Sequence, residues 1–231
     1  MAEDDDMITS KDNDKLKLIR KLAERKHRER EGLFVAEGED LIAAADAAGA
    51  QAEFVLRAGD DVEPELLDAV STLGSGTRVI GVYPMITLEG DDGFNVYLDG
   101  IADPGNVGTI IRTAHALARA TVMCGPGCAD PFGPKAVRAS MGSIFGCPPS
   151  SSQDLGKLVN PVVGLVAHGG TPPDDERVGA LVVGSERVGL SDEALAVCDR
   201  LWTIPLVDEV ESLNVAAAAA VALGRISSAA G

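Results

Sequence analysis

Asp99-Gly100-Ile101-Ala102-Asp103-Pro104-Gly105-Asn106-Val107-Gly108-Thr109-Ile110-Ile111-Arg112-Thr113 follows the apolar run Asn95-Val96-Tyr97-Leu98 and leads into Ala- and Leu-rich sequence. It therefore reads as the turn from a buried strand into a helix. In an open parallel sheet, ligands gather at the carboxyl ends of strands, where such turns lie. The glycines Gly100, Gly105 and Gly108 miss the G-x-G-x-x-G spacing of a dinucleotide loop, and no Gly-Lys-Ser/Thr follows to make a phosphate loop.

Working outward, apolar strands are expected over 121–124, 162–167, 180–183 and 201–205, with a short basic helix over 134–140 and a last helix over 214–228. Strands that are apolar throughout are buried on both faces, which implies a parallel sheet covered by helices. Two further strand-end loops stand out. One is Val182-Val183-Gly184-Ser185-Glu186-Arg187-Val188-Gly189-Leu190. The other joins Ile204-Pro205-Leu206 to Val210-Glu211-Ser212-Leu213-Asn214-Val215-Ala216. Singly, each has an ordinary explanation: the glycines shape a turn, Ser212 or Asn214 caps the last helix, and Glu186 is a surface carboxylate.

In this order the three loops closely resemble the motifs of the SpoU/TrmH family of RNA ribose methyltransferases, within the SPOUT superfamily. Asn106 and Arg112 match its first motif, Gly184-Ser185-Glu186 with Gly189-Leu190-Ser191 its second, and Ile204-Pro205 with Ser212-Leu213-Asn214-Val215-Ala216 its third. Asp130-Pro131-Phe132 and the run from Lys135 to Ser143 are also similar to the family. The resemblance covers 94–228.

It implies an α/β fold with a trefoil-knotted parallel sheet, helices on both faces, and a homodimer whose site draws on both subunits. The implied cofactor is S-adenosyl-L-methionine, held by Val183, Gly184, Ile204, Leu206, Ser212, Leu213, Asn214 and Ala216. Arg112, Asn106, Glu186, Ser212 and Asn214 are the implied catalytic group. A guanidinium is no free base at neutral pH, so Arg112 is expected to hold an RNA phosphate that takes the ribose proton.

Two departures accompany the match. Arg187 stands where small residues are common, which narrows or recharges the pocket mouth. The stretch 150–162 is short and polar where a longer helix is often found.

The first half alternates helices and strands, as a small α/β unit does. A basic helix is expected over 15–30, strands over 32–37, 54–56 and 78–82, and helices over 39–48 and 63–73. The expected division is an acidic tail (1–10), a substrate-binding unit (11–84), a linker (85–93) and the catalytic unit (94–231). Phe34-Val35-Ala36-Glu37-Gly38 followed by a helix is similar to the ribosomal-protein L30e-like substrate-binding domain attached to many family members. Possession of that extra unit favours ribosomal RNA over transfer RNA.

The net charge of −16 opposes a nucleic-acid partner. Its distribution answers the objection: residues 11–30 carry nine basic and four acidic side chains, a balance of +5 against −21 elsewhere. An acidic body with one basic face can dock RNA locally. Lys15, Lys17, Arg20, Lys21, Arg25, Lys26, Arg28 and Arg30 are the expected RNA contacts, although the same pattern also suits a solvated, ion-paired helix face.

Other classes find less support. Cys124, Cys128, Cys147 and Cys198 lack a His/Cys cluster, so no metal is expected. No apolar run reaches membrane-spanning length and the start lacks a signal-peptide pattern, so the chain is expected in the cytoplasm. His115 and His168 read as packed or loop histidines, and Trp202 has no aromatic neighbours for a base-stacking platform. The rivals are an RNA-binding protein of this fold without catalysis and a methyltransferase directed at a base. A dinucleotide-dependent dehydrogenase lacks its fingerprint.

Overall fold

The computed structural model describes residues 7–74, 76–88, 93–207 and 212–229; the tail over 1–6, linker residues 89–92 and Val210-Glu211 of the third loop lie outside the described residues. The first unit runs α1 (Asp14–Leu22), α2 (Arg25–Glu31), β1 (Leu33–Glu37), α3 (Glu39–Ala47), β2 (Phe54–Arg57), α4 (Pro64–Asp68) and β3 (Val79–Pro84). Its three strands form an antiparallel sheet in the order β1-β3-β2.

Two helical expectations need correcting here. The basic stretch is two helices, broken at Ala23-Glu24, because Leu16, Ile19 and Leu22 of α1 face the sheet while α2 turns Arg28 inward. The helix expected over 63–73 stops after Asp68. Ser71 and Thr72 instead donate hydrogen bonds to the buried Glu37 carboxylate at the end of β1.

The second unit runs β4 (Asn95–Asp99), α5 (Pro104–Ala118), β5 (Thr121–Cys124), α6 (Pro134–Ser140), α7 (Ser143–Gly146), β6 (Val162–Leu165), β7 (Ala180–Gly184), α8 (Asp192–Ala196), β8 (Arg200–Trp202) and α9 (Val215–Ala229). Its five strands are all parallel, in the order β5-β4-β7-β6-β8. Period-2 alternation divides their side chains between two faces. Val96, Leu98, Val122, Leu181 and Val183 pack with α5 and α9. Tyr97, Met123, Val162, Ala180 and Val182 pack with Ala194 of α8 and with Leu158. The second face is covered more thinly, since 150–162 holds only the single 3-10 turn Leu155–Lys157.

The same alternation joins the two units. Val35, Ile80 and Val82 face α1 in a core of their own. Phe34, Ala36, Val79 and Tyr83, on the opposite face, belong to the core of the second unit. Phe34 packs on Phe132 and Phe145 at ring separations of 5.2 and 5.6 Å, and Tyr83 on Phe145 at 4.8 Å. Residues 85–88 do not hang free: Leu88 donates to the Pro149 carbonyl at 3.0 Å and accepts from Ser151 at 3.0 Å.

Candidate active site

The helix that carries Asn106 and Arg112 begins where it does because Asp103 caps it, accepting from the Asn106 N–H at 3.0 Å, with Pro104 in its first turn. Lys135 of α6 reaches the other Asp103 oxygen at 2.9 Å. That hydrogen bond, reinforced by the Asn106 N–H, holds the Asp103 carboxyl below the usual carboxylate range. α5 then lies close on α6: a Cβ at Gly108 would overlap the Ala136 carbonyl oxygen, so the approach requires glycine.

The second loop is closed by its own backbone. Ser185 and Gly189 exchange hydrogen bonds at 3.1 and 3.0 Å, with Gly189 in the left-handed region. A side chain at Gly184 would meet the backbone of Gly189 and Leu190. Asp99, at the end of β4, accepts from the Ser191 N–H at 2.6 Å and so ties this loop to the first. In the third, the Asn214 side chain caps α9 by accepting from Ala216 and Ala217 at 2.9 and 3.3 Å.

These three loops meet through polar side chains. The Asn106 amide donates to the Glu186 carboxylate and accepts from the Asn214 amide at 3.2 Å. Residues 80 and 108 positions apart from Asn106 thus share one short network. Beside it opens a cleft of about 470 Å³, within the range of small-ligand sites. Val183, Gly184, Glu186, Ile204, Leu206, Ser212 and Leu213 line it, together with Arg187, the residue that departs from the family pattern.

Not every expected site residue is there. Asn214 stands at the network rather than in the cleft wall, and Ala216 is buried in the core, where small size serves helix packing. Arg112 does not line the cleft; it is exposed on α5, and its side chain has no hydrogen bond or ion pair among the described residues. The loop after β6, residues 165–168, was missed by the reading of the sequence and forms one wall, including His168. Its signal was present: the apolar run 162–167 marks a strand, observed as Val162–Leu165, whose carboxyl end lies on the side where ligands bind. His115 packs beside Gly146, and Trp202 is fully buried.

The expected RNA contacts divide. Lys17, Arg20, Lys21, Arg25, Lys26 and Arg30 are exposed, and Lys15 is half-buried over the Phe54 ring. Arg25, Lys26 and Arg30 form local ion pairs with Glu29, Glu24 and Glu31. Arg28 must be corrected: it is 4% exposed and paired with Asp130 of the second unit, out of reach of RNA. Its guanidinium also donates to the Leu22 and Ala23 carbonyls at 2.7 and 2.9 Å, groups left open where α1 ends.

Burial raises the Cys124 and Cys128 thiols and pushes Cys198 up to about 11, so these are neutral packing residues rather than nucleophiles. Among the described residues, no group of three or more His, Cys, Asp or Glu could hold a metal, and no helix is long and apolar enough to cross a membrane.

Comparison with known proteins matches two stretches of the chain. The SpoU rRNA Methylase family matches residues 93–224, and an MRM3-like substrate binding domain matches 13–86. A 23S rRNA (guanosine(2553)-2'-O)-methyltransferase, RlmP, from Bacillus subtilis is 33% identical over 93% of this chain and 96% of its own. The SpoU methyltransferase AviRb from Streptomyces viridochromogenes, in complex with AdoMet, superposes with a TM-score of 0.80 at 25% identity, covering 94% of this chain and 97% of its own. An AdoMet-bound rRNA methyltransferase from Sinorhizobium meliloti gives 0.81 at 26%, covering 95% and 96%.

Proposed function

Because this chain belongs to the SpoU rRNA methylase family, we propose that it transfers a methyl group from S-adenosylmethionine to a ribose 2′-hydroxyl of ribosomal RNA. The observation that carries this reading is a cleft lined by the second and third motif loops, with the first motif loop tied to both through the Asn106–Glu186–Asn214 network.

The cleft fits the cofactor. Gly184 lets the backbone of Gly189 and Leu190 close tightly on the end of β7, and Ile204, Leu206 and Leu213 offer apolar walls beside exposed loop backbone. Val183, Gly184, Ile204, Leu206, Ser212 and Leu213 would hold it. When bound, it supplies an electrophilic methyl group on a sulfonium sulfur. Glu186 anchors Asn106, and Asn106 in turn orients Asn214 and the first turn of α9, so the three loops keep one mutual arrangement.

Arg112 provides the remaining need. A guanidinium, with a pKa above about 12, cannot act as a free base. It can hold a phosphate of the RNA so that the phosphate oxygen takes the ribose proton, and then offset the charge that develops. Its exposure away from its own cleft supports a homodimer in which Arg112 of one copy serves the cleft of the other. α5 and α9 pack together and leave Leu117 and Val221 exposed, which suits an apolar dimer face. The reading includes the trefoil knot of the family, cytoplasmic action, and docking of ribosomal RNA on the exposed cations of α1 and α2.

Mapping 2′-O-methyl groups in ribosomal RNA from cells with and without the gene tests the proposal. One nucleotide that loses its methyl group in the deletion, and regains it when the purified chain and S-adenosylmethionine are added, is the expected result. An unchanged map, or a methyl group found on a base, overturns it.

A further inference from the structure

Four of the five N–H donors of Arg28 have identified acceptors. Nε and Nη2 both donate to Asp130 Oδ2, at 2.9 and 2.6 Å, while Nη1 donates to the two carbonyls that end α1. One side chain therefore fixes α1, α2 and the loop after β5 together. We propose that Arg28 and Asp130 are positioning residues: they hold the RNA-docking helices at one distance and orientation from the methyl-transfer cleft. The target ribose is then selected by its separation from the RNA element that docks. This inference rests on the function proposed above.

The contacts beyond Asp130 lead to the site. Ala129 donates to the Ile101 carbonyl and Gly125 to that of Leu98, both at 2.9 Å, which seats the Asp130 loop on the first motif. Lys135, just past that loop, holds Asp103, the cap of the helix bearing Asn106 and Arg112. On the other side of the pair, α1 and α2 present exposed Lys17, Arg20, Lys21 and Lys26.

Apolar packing holds the two units together but is non-directional, so it does not by itself specify one orientation. A charged pair in which two guanidinium N–H groups meet one carboxylate oxygen, with further carbonyl acceptors on the same guanidinium, is directional. A buried pair of this kind contributes little net stability compared with apolar substitutes. Geometry is what it adds. Domains joined by an extensive apolar contact are not expected to move independently, and here the contact has a fixed register as well.

The test compares two RNAs: full-length 23S ribosomal RNA from cells lacking the gene, and a short stem-loop cut from it around the mapped target. The full chain is used as wild type, as Asp130→Asn, and as the double variant Arg28→Met with Asp130→Asn. Asp130→Asn leaves a buried guanidinium poorly paired and should lower the thermal midpoint; the double variant should recover part of it, the Leu22 and Ala23 carbonyls having lost their donor. The double variant should keep cofactor affinity and stem-loop turnover within about twofold of wild type. Its kcat/KM on full-length RNA should fall at least about tenfold, as misplacement of a reacting group does. If the ratio between the two RNAs recovers in step with the thermal midpoint, the pair is merely structural and the proposal falls. It also falls if both RNAs lose activity equally. A wild-type chain that methylates neither RNA would count against the proposed function instead. The same ratio, read as binding affinity for the two RNAs, would then decide this proposal.

Discussion

The basic helices α1 and α2 and the loop cluster at the carboxyl ends of β4 and β7 both carry polar side chains, and they hold them in opposite ways. On the helices most cations are exposed, and their partners are near neighbours in sequence, such as Glu29 for Arg25 and Asp14 for Lys17. Such pairs contribute little and are readily exchanged for contacts with a ligand. In the loop cluster, Asn106, Glu186 and Asn214 find each other across long stretches of chain, and Asp99 and Asp103 hold the turns that present them. A docking surface can tolerate loose side chains, because phosphates are numerous and long-range attraction is forgiving. A reacting centre cannot, because misplacement by about 1 Å costs orders of magnitude in rate. Arg28 and Arg112 exchange the expected settings: the helix arginine is locked, and the motif arginine is exposed.

The sharpest way to break this contrast is Arg112→Ala. Methyl transfer measured in a single turnover should fall by about 10³-fold, the upper end for loss of one charge-stabilising donor, with cofactor affinity by calorimetry unchanged. Retained turnover would remove Arg112 from the chemistry. Glu186→Ala comes next. Losing the anchor of Asn106 should lower kcat by about 10²-fold through misplacement rather than lost charge, and Glu186→Gln, which can still accept, should recover part of it.

On the docking side, replacing Lys17, Arg20, Lys21 and Lys26 together by Ala should weaken RNA binding and flatten its dependence on log salt by up to roughly 3.6 units, given roughly 0.7–0.9 per phosphate contact. Turnover at saturating RNA should stay near wild type. If kcat collapsed instead, with RNA affinity intact, the division into docking and chemical regions would be wrong.

The smallest effect is expected at Asp103→Ala, which removes the cap of α5 at a cost of about 1 kcal/mol, read by denaturant unfolding. Because the folded carboxyl is held below its ordinary value, its contribution is complete above the usual carboxylate range and is lost as pH falls through the lowered folded pKa. Acid titration of wild type against the variant should show the two curves converging at low pH.

Much of the catalytic unit was legible in advance. Apolar runs 95–98, 121–124 and 180–183 appear as adjacent strands, since burial on both faces leaves little choice of residue. The three motif loops were legible for the same reason: strand ends are marked by glycine, proline and capping residues whose backbone demands are local. The 165–168 wall escaped notice because its residues are apolar or lone, with no polar pattern to mark them. The break between α1 and α2 escaped because Ala23-Glu24 is good helical sequence; what ends α1 there is a guanidinium six residues later.

By itself the sequence determined which segments are strands, that the second sheet is parallel, and three of the loops that gather at its carboxyl edge. Those properties follow from periodicity and local turn chemistry, which each residue carries with it. Only the tertiary structure decided which arginine meets solvent and which is sealed between the units, that both units share a core through alternate residues of β1 and β3, and that Asn106 joins Glu186 to Asn214. Partnership between distant side chains depends on how the sheets stack, and nothing in a residue's own neighbourhood encodes it.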